Sequence, residues 1–475
     1  MSSAALAAIE HVVVLTFENR SFDHLLGFLR SPDYLIDGLT GDEFNLEQPA
    51  DPSSVRVPVS ADALTGPDLS PTPNHDVRDV TVQLYGSPVV PPTVAGHNNG
   101  FVFDYGQITG NSGLPSHRVM RCHDPANLPV LTRLAQEFAV CDHWHASVPG
   151  PSWPNRFFMH AATSDGFVDN NKRDYAMRTI HQNLHDAGLS WKIYFHDLPQ
   201  ALALTRLRSS LESFALFDEA FHEDCANGTL PSYSFIEPRY FDFLWLKAND
   251  QHPPHGVLPG ELLLADVYES LRASAVWQKT VLIVTWDEHG GLYDHVLPPA
   301  AVNPDGKSTP EFAFDRLGVR VPALVISPFV ARGTIDHAVY EHASIPAFIK
   351  RVFGLPDFLT ARDRAAGTFE GVLGRDAPRA DTPATLARPA GGVSPLPVGA
   401  GLRQLSAEAV LAAKAAGQPS TALTTDLQAS LVALSDSLAA IETPAQRAVR
   451  LAARMATEHD AAVQAIGAAA RLFGL

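Results

Sequence analysis

Two acidic pairs stand where apolar runs stop. Glu18-Asn19 closes the run 9–17 (IEHVVVLTF), and Asp287-Glu288 closes the run 280–286 (TVLIVTW). In an open parallel sheet, ligands bind beyond the carboxyl ends of the strands. If both runs are strands of one sheet, three carboxylates and an amide oxygen meet at one rim. They repel one another there, and a hard divalent cation, which favours oxygen ligands, relieves that. A single acidic pair after a strand is usually a loop cap or a solvated pair. Two pairs in the same position favour a site.

The stretch GPSWPNR (150–156) precedes a helical run, 157–162. Ser152 stands where a helix N-cap would, with Pro154 two residues on. The plain reading is a cap. The chemical reading uses the same geometry: a helix N-terminus offers free N–H groups and a positive dipole end to an alkoxide and a phosphoryl oxygen. A serine hydroxyl is a weak nucleophile until a base or metal activates it, and a carboxylate-bound cation would do so. Asn155 and Arg156, in the same first turn, are candidates for binding substrate.

Histidines number 20, many for this length. His252 and His255, in HPPH, precede the helix that leads to the Asp287 strand. His289 and His295 follow that strand in DEHGGLYDHV. Gly290-Gly291 permits a tight turn, which would fold His295 back toward the rim. His252 and His295 are the candidate catalytic imidazoles and His255 a candidate substrate contact. His289 reads as a neighbour. His123, His143, His145 and His160 surround the Ser152 segment, and their spacing assigns them no role.

These residues need a scaffold. Runs 9–17, 138–141, 280–286 and 321–327 are apolar on both faces, and 129–137, 260–274 and 343–353 carry helical patterns. Continuous apolar strands separated by helices indicate an α/β domain whose parallel sheet is covered on both sides. Residues 48–100, rich in Pro, Asp, Ser and Asn, read as long ordered loops over one edge. The division expected is a catalytic domain over 1–375, a Pro/Ala/Gly connector without a core of its own over 376–403, and a small helical appendage over 404–475. In the last, Leu427, Leu431, Leu434, Leu438 and Ile441 share one helix face. Thr443-Pro444 restarts a helix with Leu451, Met455, Val463 and Ile466 on its stripe.

The chain has 475 residues, enough at roughly 100–200 per domain for two to four domains, or for one large α/β domain with an appendage. Lys plus Arg number 35 against 52 Asp plus Glu, a formal charge of −17. That excess disfavours a nucleic-acid groove, which needs clustered cations, and adsorption to anionic membranes. Zwitterionic head groups and neutral interfaces stay open, as does peripheral contact with a membrane. Cys122, Cys141 and Cys225 form no CxxC pair and outline neither a disulfide framework nor a zinc site. No apolar run reaches the roughly 18 residues of a membrane span. The start lacks the pattern of a signal peptide, so the cytoplasm is the expectation.

Taken together, the segments ENRSFDHLLGFL (18–29), PNHD and QLYG (within 73–86), FAVCDHWHASVPGPSWPNR (138–156), LPSYSFIEPRYFD (230–242), DQHPPH (250–255), WDEHGGLYDHVLPP (286–299), FDRLGVRVPALVISPFV (314–330) and YEHASIPAFIKRVFGL (340–355) resemble, in order, the phosphoesterase family of plant and bacterial non-specific phospholipases C and related acid phosphatases. The resemblance implies an alkaline-phosphatase-like fold, a mostly parallel sheet between helices. It places Glu18, Asn19, Asp287 and Glu288 around one divalent metal ion, Ser152 at the nucleophile position, and His252 as the active-site imidazole. Phospholipase members often carry threonine where Ser152 stands, whereas serine is familiar in the acid phosphatases. Phospholipase C activity in the family is often independent of added calcium, so the metal's identity is open. The expected function is hydrolysis of phospholipids to diacylglycerol and a phosphorylated head group through a phosphoseryl intermediate, with His252 protonating the departing alkoxide and His295 orienting it. The alternatives are an acid phosphatase acting on small phosphomonoesters and a non-catalytic lipid-binding protein on the same fold.

Overall fold

The computed structural model describes residues 3–90, 98–110, 113–242, 247–390, 425–438 and 458–473. Its main sheet has eight strands: β1 His11–Phe17, β2 Ala139–Cys141, β3 Trp191–Phe195, β4 Phe214–Leu216, β5 Tyr233–Ile236, β6 Thr280–Trp286, β7 Ala323–Ile326 and β8 Thr334–Asp336. They lie in the order β8-β2-β7-β6-β1-β5-β3-β4. Every pairing is parallel except the two made by β7, which runs against β2 and β6. The architecture is therefore the α/β class that the apolar runs indicated. All seven residues of β6 and six of seven in β1 are buried, so neither shows the polar alternation of a half-exposed strand. β3, β4, β5 and β8 lie outside the four runs read as strands.

The helices that bear on the site are α1 Phe22–Leu26, α2 Pro129–Glu137, α3 Ser152–Ala161, α4 Leu258–Ala273 and α5 Ser344–Val352. Proline in the first turn starts α2 and α4, where its missing N–H costs nothing. Residues 48–100 are not all loop. They hold a strand, Arg56–Pro58, paired with Phe44–Leu46, and a helix over Val77–Tyr85. Val77, Val80, Thr81 and Leu84 turn inward on that helix, an apolar spacing the polar composition around it obscured.

One pairing sets the site. β1 and β6 are neighbours in parallel, in register from His11↔Thr280 to Phe17↔Trp286. Both strands therefore stop at one level, and the Asp287 N–H donates to the Phe17 carbonyl at 3.1 Å. The next residues of each strand have nowhere to go but the same rim.

Two further helices follow, α6 Asp426–Leu438 and α7 Glu458–Phe473. Leu427, Leu431, Leu434 and Leu438 are buried on α6, and Val463 and Ile466 pack inward on α7. Phe473 meets Phe195 of β3 at a ring separation of 4.6 Å. Ile441, Leu451, Met455, the Thr443-Pro444 restart and residues 391–403 of the expected connector lie outside the described residues. The connector's first part, 376–390, lies against the main domain. Arg379 pairs with Glu137 at 2.9 Å, the Tyr268 hydroxyl donates to the Pro383 carbonyl at 2.6 Å, and Leu386 joins the core. Cys122, Cys141 and Cys225 are free and buried. No helix among the described residues is long and apolar enough to cross a membrane.

Candidate active site

The two acidic pairs meet. The Asn19 N–H donates to Asp287 Oδ1 at 2.9 Å, and the Glu288 N–H donates to the same oxygen at 2.8 Å. Asn19 sits at φ 53°, in the left-handed region that non-glycine residues rarely adopt. Such strain persists only where the surroundings hold it, typically at a working site. The next turn depends on Gly290, at φ 65°, whose N–H donates to Glu288 Oε2 at 2.6 Å. A Cβ there would stand 2.5 Å from the Asn19 carbonyl oxygen.

Ser152 reaches this cluster, though not as a cap. Pro151 is the N-cap of α3, and Ser152 is its first helical residue, with no capping hydrogen bond. Its hydroxyl donates instead to Asn19 Oδ1 at 3.4 Å. Asn155 fastens the helix entry in its place. Its Oδ1 accepts from the Val148 N–H at 2.9 Å, and its Nδ2 donates to the carbonyls of Val148, Gly150 and Pro151 at 2.9–3.1 Å. Asn155 is thus spent on the loop, which leaves no amide atom for a substrate.

Arg156 points into the cluster rather than out to a ligand. It is buried, with Nη2 2.5 Å from Glu18 Oε1 and Nε 3.4 Å from Asp287 Oδ2. Gln200 Nε2 donates to the same Glu18 oxygen at 2.6 Å. Neither Gln200 nor Glu237, which accepts from the Gln200 and Ala201 N–H groups, was found from sequence. Glu237 follows the end of β5, the same position relative to its strand that marked Glu18 and Asp287. Burial pushes the Glu18 carboxyl well above its ordinary range, with Arg156 opposing and Asp287 adding to the rise. Burial pushes Asp287 the same way, but the Glu18 hydrogen bond, Arg156 and the two N–H donors outweigh it and hold it below. Arg156 faces two of the three buried carboxylates, Glu18 and Asp287, and His75 stands beside the third, Glu288.

The unsatisfied atoms tell the same story. Glu18 Oε2, Asp287 Oδ2 and Glu288 Oε1 are buried without a hydrogen-bond partner, as is Asn19 Nδ2. Buried polar atoms are nearly always paired. Three orphan carboxylate oxygens from three residues are the donor type a hard divalent cation takes, although Glu18, Asp287 and Glu288 do not form a group whose ligand atoms all lie within 4.8 Å of one another.

The histidines divide. His252 and His255 sit on a loop stitched to the rim, because the Glu18 N–H donates to the Asp250 carbonyl at 2.9 Å. His252 is buried, its Nδ1 2.5 Å from the Pro253 carbonyl and its Nε2 unpartnered. His255 is turned to Asp250, Nδ1 to Oδ1 at 2.8 Å. His295 takes a different place: Nδ1 lies 2.7 Å from Asp23 Oδ2 and Nε2 3.3 Å from Asp37 Oδ1, beside Arg320. The glycine turn exists, but it delivers His295 to a second charged network. His75 was missed, although it lies in the PNHD segment just before the helix Val77–Tyr85. Its Nε2 faces Glu288 Oε1 at 3.8 Å. His289 lies beside Glu288 on the other side, Nδ1 to Oε2 at 3.4 Å, and its Nε2 donates to Gln83 Oε1 at 2.7 Å.

The chain matches the model of the Phosphoesterase family over residues 9–356. Non-specific phospholipase C3 of Arabidopsis thaliana is 40% identical over 407 residues, which is 81% of this chain and 77% of that protein. Non-specific phospholipase C6 of the same plant is 43% identical over 80% of this chain and 75% of its own length. Phospholipase C B of Mycobacterium tuberculosis is 30% identical over 78% and 79% respectively. On this family match, with relatives of that identity over most of the chain, the chain belongs to the Phosphoesterase family.

Proposed function

We propose that the chain is a phospholipase C-type phosphoesterase that cleaves the phosphate–glycerol bond of phospholipids, giving diacylglycerol and a phosphorylated head group. The observation that carries this reading is the Ser152 hydroxyl resting on Asn19 inside a group of buried, unsatisfied carboxylates. Its relatives named as phospholipases C support the substrate class.

Ser152 Oγ attacks phosphorus, the bond to the glycerol oxygen breaks, and the phosphoserine is then hydrolysed by water to release the phosphorylated head group. A divalent cation held by Glu18, Asn19, Asp287 and Glu288 would lower the serine pKa and offset charge on the phosphoryl oxygens. The N-terminus of α3 adds its positive dipole end at the same oxygens, although the Trp153 N–H is taken by Asn170 and Pro154 has none. Arg156 holds Glu18 and Asp287 in place, and Asn155 fixes the helix entry. The departing glycerol oxygen leaves toward His75 and His252 and takes up a proton there, which the water that attacks the phosphoserine then restores. His252 acts there through Nε2 alone, since Nδ1 is spent on Pro253.

The test is a product assay on mixed phospholipids beside a small phosphomonoester. Diacylglycerol should appear from the lipids at the higher kcat/KM, and Ser152→Ala should lower turnover by about 10⁴-fold or more, as loss of a nucleophile does. Faster turnover of the monoester would replace this reading with an acid phosphatase. Lipid binding without hydrolysis at any pH or metal would replace it with a binding protein.

A further inference from the structure

The two imidazoles on the leaving-group side have a third partner from outside the family's matched segment. Asp426 opens α6, and its Oδ2 lies 3.4 Å from His75 Nε2 while its Oδ1 lies 3.7 Å from His252 Nε2. The helix is fixed to bring it there. Thr425 and Gln428 cap each other's backbone N–H groups, at 3.0 and 3.1 Å, a reciprocal box that starts α6 at Asp426. Gln428 Nε2 then donates to the Tyr240 carbonyl at 2.9 Å, next to Arg156. Asn170 receives the Trp153 N–H on its Oδ1 at 2.8 Å and donates to Asp426 Oδ2 at 2.9 Å, tying the carboxylate to the first turn of α3.

The hydrogen atoms identify what belongs between these groups. Both imidazoles place Nδ1 against a backbone carbonyl, Pro73 at 2.9 Å for His75 and Pro253 at 2.5 Å for His252. A carbonyl only accepts, so each Nδ1 carries a proton and each ring turns Nε2 toward Asp426. The separations exceed good hydrogen bonds. Two atoms about 2.0–2.2 Å from a tetrahedral cation stand about 3.3–3.6 Å apart; the 3.4 Å from His75 Nε2 to Asp426 falls in that range and the 3.7 Å from His252 Nε2 lies just beyond it. The ligand atoms of His75, His252 and Asp426 all lie within 4.8 Å of one another. Glu288 Oε1, which belongs to the neighbouring carboxylate cluster, faces His75 Nε2 at 3.8 Å, so the group itself supplies two nitrogens and one oxygen. Metal-binding histidines characteristically donate their other N–H to a carbonyl, as both do here. The group borders a cavity of about 440 Å³ through which an ion enters.

We infer that His75, His252 and Asp426 form a binding site for a borderline divalent cation of the zinc type, separate from the neighbouring centre at Glu18, Asn19, Asp287 and Glu288. The ligand choice follows from chemistry: paired imidazole nitrogens with a carboxylate oxygen suit zinc-like ions better than calcium or magnesium. Its place in catalysis rests on the proposed phospholipase reading, in which the ion meets the charge of the departing oxygen. The binding itself does not depend on that reading.

The experiment is titration of the full chain, stripped with a chelator, with Co²⁺, following the visible absorption of four-coordinate cobalt and the number of equivalents bound, with no substrate present. Wild type should bind two equivalents, one of them carrying the four-coordinate spectrum. Asp426→Asn and His252→Gln should each weaken that equivalent by more than about 100-fold, beyond what loss of a supporting hydrogen bond costs, and leave the other intact. Asp287→Asn should do the reverse. Asp426→His, which supplies another ligand, should restore the spectrum and so separates ligation from mere docking of α6. Unchanged stoichiometry and spectrum in Asp426→Asn and His252→Gln would overturn the inference, as would a single equivalent that only Asp287→Asn removes. A wrong substrate assignment would show in the product assay and leave this titration untouched.

Discussion

Two buried charged networks lie a few residues apart along the same segments, and they are finished differently. Around Arg320, everything is paired. Its Nε and Nη2 donate to Asp294, Nη2 also to Asp23 at 3.0 Å, and Nη1 to the carbonyls of Asp37 and Asp142 at 2.8 Å. Asp23 Oδ2 accepts the N–H and the ring of His295 as well. Around Ser152, four residues carry orphan atoms, and Arg156 itself has Nε and Nη1 without hydrogen-bond partners. Both networks hold an arginine between carboxylates. In the first, the arginine completes the set, so Asp23, Asp294 and His295 have no call for a cation although they are close enough to hold one. In the second, it leaves a deficit of positive charge. Pairing marks a network that fixes the fold. Incompleteness marks one kept for a ligand, at a cost in stability.

The sharpest break in that contrast would come from Asp287→Asn. Turnover should fall by about 10³-fold or more, because the cation's contribution to the transition state is worth several kcal/mol. In the metal-free protein, Glu18→Gln should leave the melting temperature level or raise it, since burial already pushes the Glu18 carboxyl up and the substitution removes a charge the fold disfavours. A clear loss of stability without metal would show that this network is structural after all. Arg320→Met should do the opposite, costing about 3–5 kcal/mol by stranding Asp23 and Asp294 in the interior. Denaturant titration of the folded fraction measures it, and a loss under about 1 kcal/mol would remove the contrast.

His295 sharpens the comparison through pH. Burial opposes its charge, but the hydrogen bond and charge of Asp23 win, and its pKa rises to about 9. A pKa raised on folding contributes stability that is complete below the unfolded value, about 6.5, and is lost as pH climbs through the folded one. The Tm gap between wild type and His295→Gln should therefore shrink from pH 6.5 to 9 and level off above, with kcat at saturating substrate nearly unchanged. A large kcat loss at constant Tm would return His295 to the chemistry. The smallest effect belongs to Asp37→Asn, at the half-buried edge: under about 1 kcal/mol, as for other partly exposed pairs.

Much of this site was legible along the chain. The apolar runs of β1, β6, β2 and β7 mark strands buried on both faces, and α2 appears over the residues its pattern indicated. Polar residues directly after such strands pointed to the rim, because a parallel sheet collects its strand ends on one side. The same rule, applied to β5, would have exposed Glu237. It was missed because the short run Tyr233–Ile236 mixes serine and tyrosine with its apolar residues.

Local pattern determined that β1 and β6 are buried strands, that polar groups end them, and that a serine opens the helix α3. Side-chain type and spacing suffice for that, since burial and helix geometry act over a few residues. Only the folded chain decided the partners. The register of β1 against β6 brought Asn19 to Asp287, Asn170 took the Trp153 N–H of the first turn of α3, and Arg320 claimed His295. Docking of α6 set Asp426 beside His75 and His252. Each of these is a contact between distant stretches, fixed by packing and charge balance across the whole domain, and no window of sequence contains both sides of it.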